Sequence, residues 1–146
     1  MKRLTILLFA ILPFILFNCN GSKKAAVTTQ SGLFVTSKTL TAVLEEAQTK
    51  GKIVFVDMYT TWCTPCKVMD QEVYSHPSVV KFLKDNMISY KVDAEKGNGP
   101  DLAIIYNVQV YPTLLFLDDK GREIVRNDGA LSITGFLELA GRAVDQ

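Results

Sequence analysis

Two cysteines, Cys63 and Cys66, are the residues best suited to chemistry. They lie in the stretch Thr61-Trp62-Cys63-Thr64-Pro65-Cys66-Lys67. Thiols at C-x-x-C spacing can close a small disulfide ring and open it again. The stretch follows an apolar run, Ile53-Val54-Phe55-Val56, that ends in a single acid, Asp57. This reads as a buried strand feeding a helix, with both sulfurs at the junction. The positive end of the helix favours thiolate over thiol at the first cysteine. A bridge across so short a loop removes little chain entropy, so the pair suits a reversible redox couple better than a structural staple. Zinc needs about four ligands. The folded part offers two cysteines and the lone His76, so neither a metal nor another cofactor is expected.

The elements that must position these thiols follow from spacing. Ser37 or Thr39 can cap a helix with Leu40, Val43, Leu44 and Ala47 on one face, closed by Gly51. Ile53 to Met58 is a strand covered on both faces. A helix starts at Thr64 or Pro65, where proline is tolerated, and runs past Val68 and Met69. A second helical piece has Ser75 as cap, Pro77 at its start and Val79, Phe82 and Leu83 inward. Ile88 to Val92 is a strand, Glu95 to Pro100 a polar loop, and Asp101 to Tyr106 a short helix. Leu114 to Leu117 and Glu123 to Arg126 are strands joined by a turn at Asp118-Asp119-Lys120-Gly121. Asn127-Asp128-Gly129 is a loop. Ser132 caps a last helix with Ile133, Phe136, Leu137 and Ala140 as its apolar face. Leu33-Phe34-Val35 is a candidate edge strand. The order β-α-β-α-β-β-α gives a single α/β domain with a mixed sheet.

The 146 residues are 48% hydrophobic and 21% charged, a globular composition long enough for a proper core. A net charge of +1 leaves no basic field to hold nucleic acid. Residues 1–20 read as an export signal, with Lys2 and Arg3 ahead of the apolar stretch Leu4 to Phe17. That stretch is short of the roughly 20 residues a membrane span needs. Leu16-Phe17-Asn18-Cys19 is similar to a bacterial lipobox, which would make Cys19 a lipidation site. The pattern departs at Asn18, where lipoproteins carry Gly, Ala or Ser. Ordinary cleavage nearby or an uncleaved anchor are the alternatives. Residues 21–32 read as a flexible tether and 33–146 as the domain.

From about residue 33 to 146 the chain resembles the thioredoxin superfamily. Four marks carry this: Trp62-Cys63-Thr64-Pro65-Cys66-Lys67 after a strand, Tyr111-Pro112-Thr113 before one, Asp57 six residues ahead of Cys63, and Gly129 after the final strand. Asp57 to Cys63 and Glu72 to Val79 also look like the C-terminal periplasmic domain of transmembrane disulfide reductases and like small exported thioredoxin-like lipoproteins. The resemblance implies a thioredoxin fold, a central mixed sheet flanked by helices. It implies that Cys63 is an exposed nucleophile and that Cys66, less exposed, resolves the mixed disulfide. Asp57 would accept and return the Cys66 proton. Pro112 would be a cis-proline beside the thiols, and Tyr111 would offer backbone groups to an extended substrate. Trp62, Thr64 and Pro65 complete the substrate-binding set. The family's usual lysine near the buried acid falls at Ser89. Lys91, two residues on and on the same strand face, can take its place.

The function these residues point to is an exported thiol:disulfide oxidoreductase, monomeric and on the periplasmic side of a bacterial membrane. It would reduce cysteine-containing client proteins and draw electrons from a membrane donor. Between the cysteines there is no histidine of the kind strong oxidases often carry. The alternatives are an oxidase or isomerase using the same residues, and a non-catalytic thioredoxin-fold binding module.

Overall fold

A computed structural model describes residues 32–36 and 38–146. The expectations for residues 1–31, including the signal, Cys19 and most of the tether, and for Ser37 lie outside the described residues.

Eleven elements follow one another: β1 (Phe34–Val35), α1 (Leu40–Lys50), β2 (Ile53–Tyr59), α2 (Thr64–Val68), a π-helical turn (Met69–Val73), α3 (Pro77–Asn86), β3 (Met87–Asp93), α4 (Gly99–Ile105), β4 (Thr113–Leu117), β5 (Glu123–Asp128) and α5 (Ile133–Val144). The strands form one sheet in the order β1-β3-β2-β4-β5. β2 lies parallel to β3 on one side and antiparallel to β4 on the other, so the sheet is mixed. Relative to the order β-α-β-α-β-β-α there is one further helix-strand step. The helix of that step, α4, is the short helix expected over Asp101 to Tyr106.

The central strand explains the two-layer core. In β2 successive side chains alternate between faces. Val54, Val56 and Met58 pack with Leu40, Val43 and Ala47 of α1 and Leu102 of α4. Phe55 points the other way, among Met69, Val73, Tyr74, Leu83 and Phe136. Its ring stacks on Phe116 at 5.0 Å and meets Phe136 edge-on at 5.2 Å. Burying such a ring contributes about 1.5–3 kcal/mol. These contacts fix the height and tilt of β2, and hence the place where it delivers Asp57.

Element ends show where local spacing was and was not decisive. Thr39 caps α1, its hydroxyl accepting from Ala42 N at 3.3 Å, and Gly51 closes it in the left-handed region at φ 61°. The cap position of α3 is His76, not Ser75; Ser75 instead donates its hydroxyl proton to Gln71 O at 2.5 Å. Helix α4 begins at Gly99, two residues earlier than expected. A Cβ there would lie 1.9 Å from Asp93 O, so only glycine lets the helix start against the end of β3. β5 runs on to Asp128, which pairs with Thr113, and so takes two residues expected in a loop. In α5 the buried face includes Leu139 and Ala143 beside Phe136 and Ala140.

Candidate active site

β2 ends at Tyr59, and the chain then turns over Thr60-Thr61-Trp62 into α2. Cys63 occupies the cap position of that helix and Pro65 lies in its first turn. Cys63 and Cys66 are joined as a disulfide, with Cα atoms 5.4 Å apart. Cys63 Sγ accepts a hydrogen bond from Cys66 N at 3.1 Å. In the reduced state the same N–H would favour a thiolate at Cys63. The expectation of an exposed Cys63 does not hold in this oxidised form: Cys63 is 3% exposed and Cys66 2%. The cause is the cap geometry, which turns Cys63 Sγ into the helix end. Its neighbours Trp62, Thr64 and Pro65 are exposed around it.

Cys63 meets solvent at a surface cavity of about 500 Å³, lined also by Trp62, Thr64, Pro65, Gln109, Val110 and Tyr111. No Asp, Glu, Lys, Arg or His side chain is among these lining residues. Trp62 is 64% exposed, so it is a wall of this cavity and not core packing. Its indole Nε1 donates to Glu95 Oε1 at 3.0 Å, and its ring meets Tyr111 edge-on at 6.0 Å. The Tyr111–Pro112 peptide is cis. Pro112 itself is buried and Tyr111 half-buried.

Asp57 is linked through Lys91 to the π-helical turn that continues α2. It is 1% exposed, and Lys91 Nζ donates to its Oδ2 at 2.5 Å. The two residues are register partners across the parallel β2–β3 pair, whereas Ser89 pairs with Phe55. Lys91 Nζ also donates to Asp70 Oδ1 at 2.6 Å. Asp70 stands four residues, about one helical turn, beyond Cys66, so Lys91 ties the strand acid to the helix that carries the thiols. Rings of Phe34, Tyr59 and Tyr74 surround the ammonium at 5.1, 4.8 and 5.3 Å.

The electrostatics of the pair run in opposite senses. Burial pushes the Asp57 carboxyl above the usual aspartate value, against the pull of Lys91, and the charge of Asp70 adds to the rise. Burial also works against the charge on Lys91, yet Asp57 and Asp70 outweigh it and hold the ammonium above the ordinary lysine value. The difference has a plain cause. Lys91 has two anions and an 11% exposed side chain, while Asp57 has one cation and is sealed.

The structure therefore places Cys63, Thr64, Pro65, Trp62 and Tyr111 around one cavity, and joins Asp57 through Lys91 to Asp70, four residues beyond Cys66. Sequence reasoning missed Gln109 and Val110 in the cavity wall, Glu95 behind Trp62 and Asp70 on Lys91. The i+4 spacing from Cys66 to Asp70 was the one local signal available. His76 lies away from this set, with its Nδ1 2.7 Å from Ser78 Oγ.

A thioredoxin-like family model matches residues 35–119. Among curated proteins the chain is 34% identical over 119 residues to the thiol:disulfide interchange protein DsbD of Klebsiella pneumoniae, a match covering 79% of this chain and 19% of that protein. The chain spans about one fifth of the length of such relatives. Among solved structures, a proposed disulphide-isomerase from Bacteroides thetaiotaomicron superposes with a TM-score of 0.65 at 34% identity, covering 75% of this chain and 87% of that one. The oxidised C-terminal domain of Neisseria meningitidis DsbD, at 21% identity and a TM-score of 0.61, covers 71% of this chain and 92% of that one and shares the fold. The matched family segment takes in β2, the cysteine pair and the cis-proline, and with it the chain belongs to the thioredoxin-like family.

Proposed function

We propose that the chain works in the reducing direction, on disulfides of cysteine-bearing client proteins at the periplasmic side of a bacterial membrane. The observation that carries the direction is the uncharged lining of the cavity at Cys63. A strong oxidant needs a strongly stabilised thiolate, usually from nearby cations. Here one backbone N–H reaches Cys63 Sγ, and no cationic side chain lines the cavity. Thr64 and Pro65, in place of a histidine, support the same direction.

In this reading the thiolate of Cys63 attacks one sulfur of a client disulfide. The other client sulfur leaves as a thiolate and takes up a proton. Cys66 then gives its proton to Asp57 and attacks Cys63 Sγ. The second client sulfur leaves, reduced, and Cys63–Cys66 closes as a disulfide. The client gains two electrons and the domain loses them, so a dithiol protein of the membrane must restore the pair. Trp62 and Tyr111 would hold the client beside the cavity, with Thr64 and Pro65 setting the stiffness of the thiol loop. No helix among the described residues is long and apolar enough to cross a membrane. Export by a signal within residues 1–20 that is cut before Cys19, a lipid on Cys19 and a tether over 21–32 complete the proposal, with 33–146 as the working domain.

Cys66→Ser should leave Cys63 joined to clients as a stable mixed disulfide, while Cys63→Ser should abolish reduction of an insulin-type substrate. A Cys66→Ser chain that reduces as fast as the parent would refute the dithiol mechanism and favour a binding module. An isomerase reading is favoured by the likeness to the Bacteroides structure. Recovery of a scrambled disulfide substrate without net electron input would distinguish it.

A further inference from the structure

Among the described residues, three buried side-chain oxygens have no hydrogen-bond partner in the protein: Asp57 Oδ1, Thr60 Oγ1 and Tyr74 Oη. Two of the three belong to residues that touch one ammonium. Lys91 Nζ is 2.5 Å from Asp57 Oδ2 and 5.3 Å from the centre of the Tyr74 ring. Phe55, two residues before Asp57 and so on the same face of the sheet, has its ring 5.9 Å from that of Tyr74.

Packing accounts for the ring of Tyr74 but not for its hydroxyl. Phe34, Phe55 and Phe136 surround the ring, and a phenylalanine would make the same contacts. A hydroxyl held away from water without a bond is costly, and so is an open carboxylate oxygen. The backbone goes out of its way to place this residue. Tyr74 N donates to Met69 O at 2.9 Å, closing a π-helical turn that inserts an extra residue into the helix. Such turns concentrate at functional sites.

We propose that Tyr74 is a positioning residue for Asp57: its hydroxyl donates to one buried water that in turn donates to Asp57 Oδ1. Lys91 then holds one carboxylate oxygen and Tyr74, through the water, the other, which fixes the plane of the group and favours its charged form. Burial and the charges of Asp57 and Asp70 push the Tyr74 hydroxyl well above the usual tyrosine value, so it keeps its proton and acts as a donor. The titratable groups around Asp57 are Lys91 from β3, Asp70 from the π-helical turn and Tyr74 beyond it, with Tyr59 from β2 against the Lys91 ammonium. The consequence for catalysis rests on Asp57 as the acceptor of the Cys66 proton.

The test is a carbon-13 titration of the Asp57 carboxyl in the oxidised full-length chain, which needs no turnover. Tyr74→Phe should raise its midpoint by about half to one pH unit, a roughly three- to tenfold gain in proton affinity. An unchanged or lowered midpoint overturns the proposal. If Tyr74→Phe does not fold, the ring carbon bearing the Tyr74 hydroxyl is followed in the parent chain. It should shift with the midpoint of Asp57, and a flat response overturns the bond. Separately, pH profiles of disulfide reduction test the acceptor role. A moved Asp57 midpoint with an unmoved rate profile would keep the bond and remove Asp57 from the chemistry.

Discussion

Replacing Lys91 with methionine keeps the aliphatic stem and removes the charge. The side chain of Lys91 is 11% exposed and that of Asp57 1%, so Asp57 would be left with no nearby cation. Breaking a buried pair from one side costs about 3–5 kcal/mol. Asp57 can escape part of this by holding a proton, at about 1.4 kcal/mol per pH unit. Asp70 is 29% exposed and loses little. A loss of about 3 kcal/mol at pH 7 follows. The sign of the pH dependence is fixed by the direction of the Asp57 shift. Its folded value lies above its unfolded value, and the loss of Lys91 raises it further. Between the two values the folded state holds a proton that the unfolded state has released. Stability in the variant is therefore full below about pH 4 and falls as pH rises through the folded value. The parent shows the same fall over a narrower window, so the gap between the two opens with rising pH. Urea unfolding of the oxidised chains at pH 4.5 and pH 7 measures it. At pH 7 the midpoint should drop by about 1–3 M, for a slope of about 1–3 kcal/mol/M, and at pH 4.5 by much less. A loss below about 1 kcal/mol at pH 7, or an equal loss at both pH values, would refute the reasoning.

Two further perturbations separate surface from core. Trp62→Ala removes the ring that stands on Tyr111 at the edge of the cavity. Because Trp62 is 64% exposed, stability should hardly change, while KM for a protein disulfide should rise about tenfold, as for an aromatic anchor. Steady-state reduction of an insulin-type substrate checks this, and an unchanged KM would remove Trp62 from client contact. Gly99→Ala puts a Cβ 1.9 Å from Asp93 O, a backbone atom that cannot swing aside. Overpacking of this kind should cost about 2 kcal/mol and lower Tm by about 10 °C in a thermal melt. An unchanged Tm would mean that α4 can begin elsewhere.

The parts of the site that could be read in the sequence are those whose partners are close along the chain. Trp62, Cys63 and Cys66 sit within one helical entry, and Asp57 ends an unmistakable apolar run. Lys91 was legible as a candidate because side chains alternate along a strand. Its pairing with Asp57 needed the register of β3 against β2, which pattern alone does not give. Glu95 reaches Trp62 from 33 residues away, and Gln109 and Val110 reach the cavity because the loop before β4 folds over α2. The π-helical turn left no mark in the periodicity, since one extra residue only shifts the face that follows. For the same reason Tyr74 reads as ordinary core. The fold was clearer than the site. Apolar runs with turn signals between them mark β2 and β4, while the start of α4 depends on a close approach of backbones at Gly99 that composition presents as a loop.

The equilibrium redox titration of Cys63–Cys66 tests the central claim most directly. A potential near the thioredoxin value of about −270 mV is the expected result, since an uncharged cavity does little to stabilise the reduced pair. A value near −120 mV would mark an oxidant and contradict the proposed direction. Absence of a reversible couple would contradict the redox assignment itself.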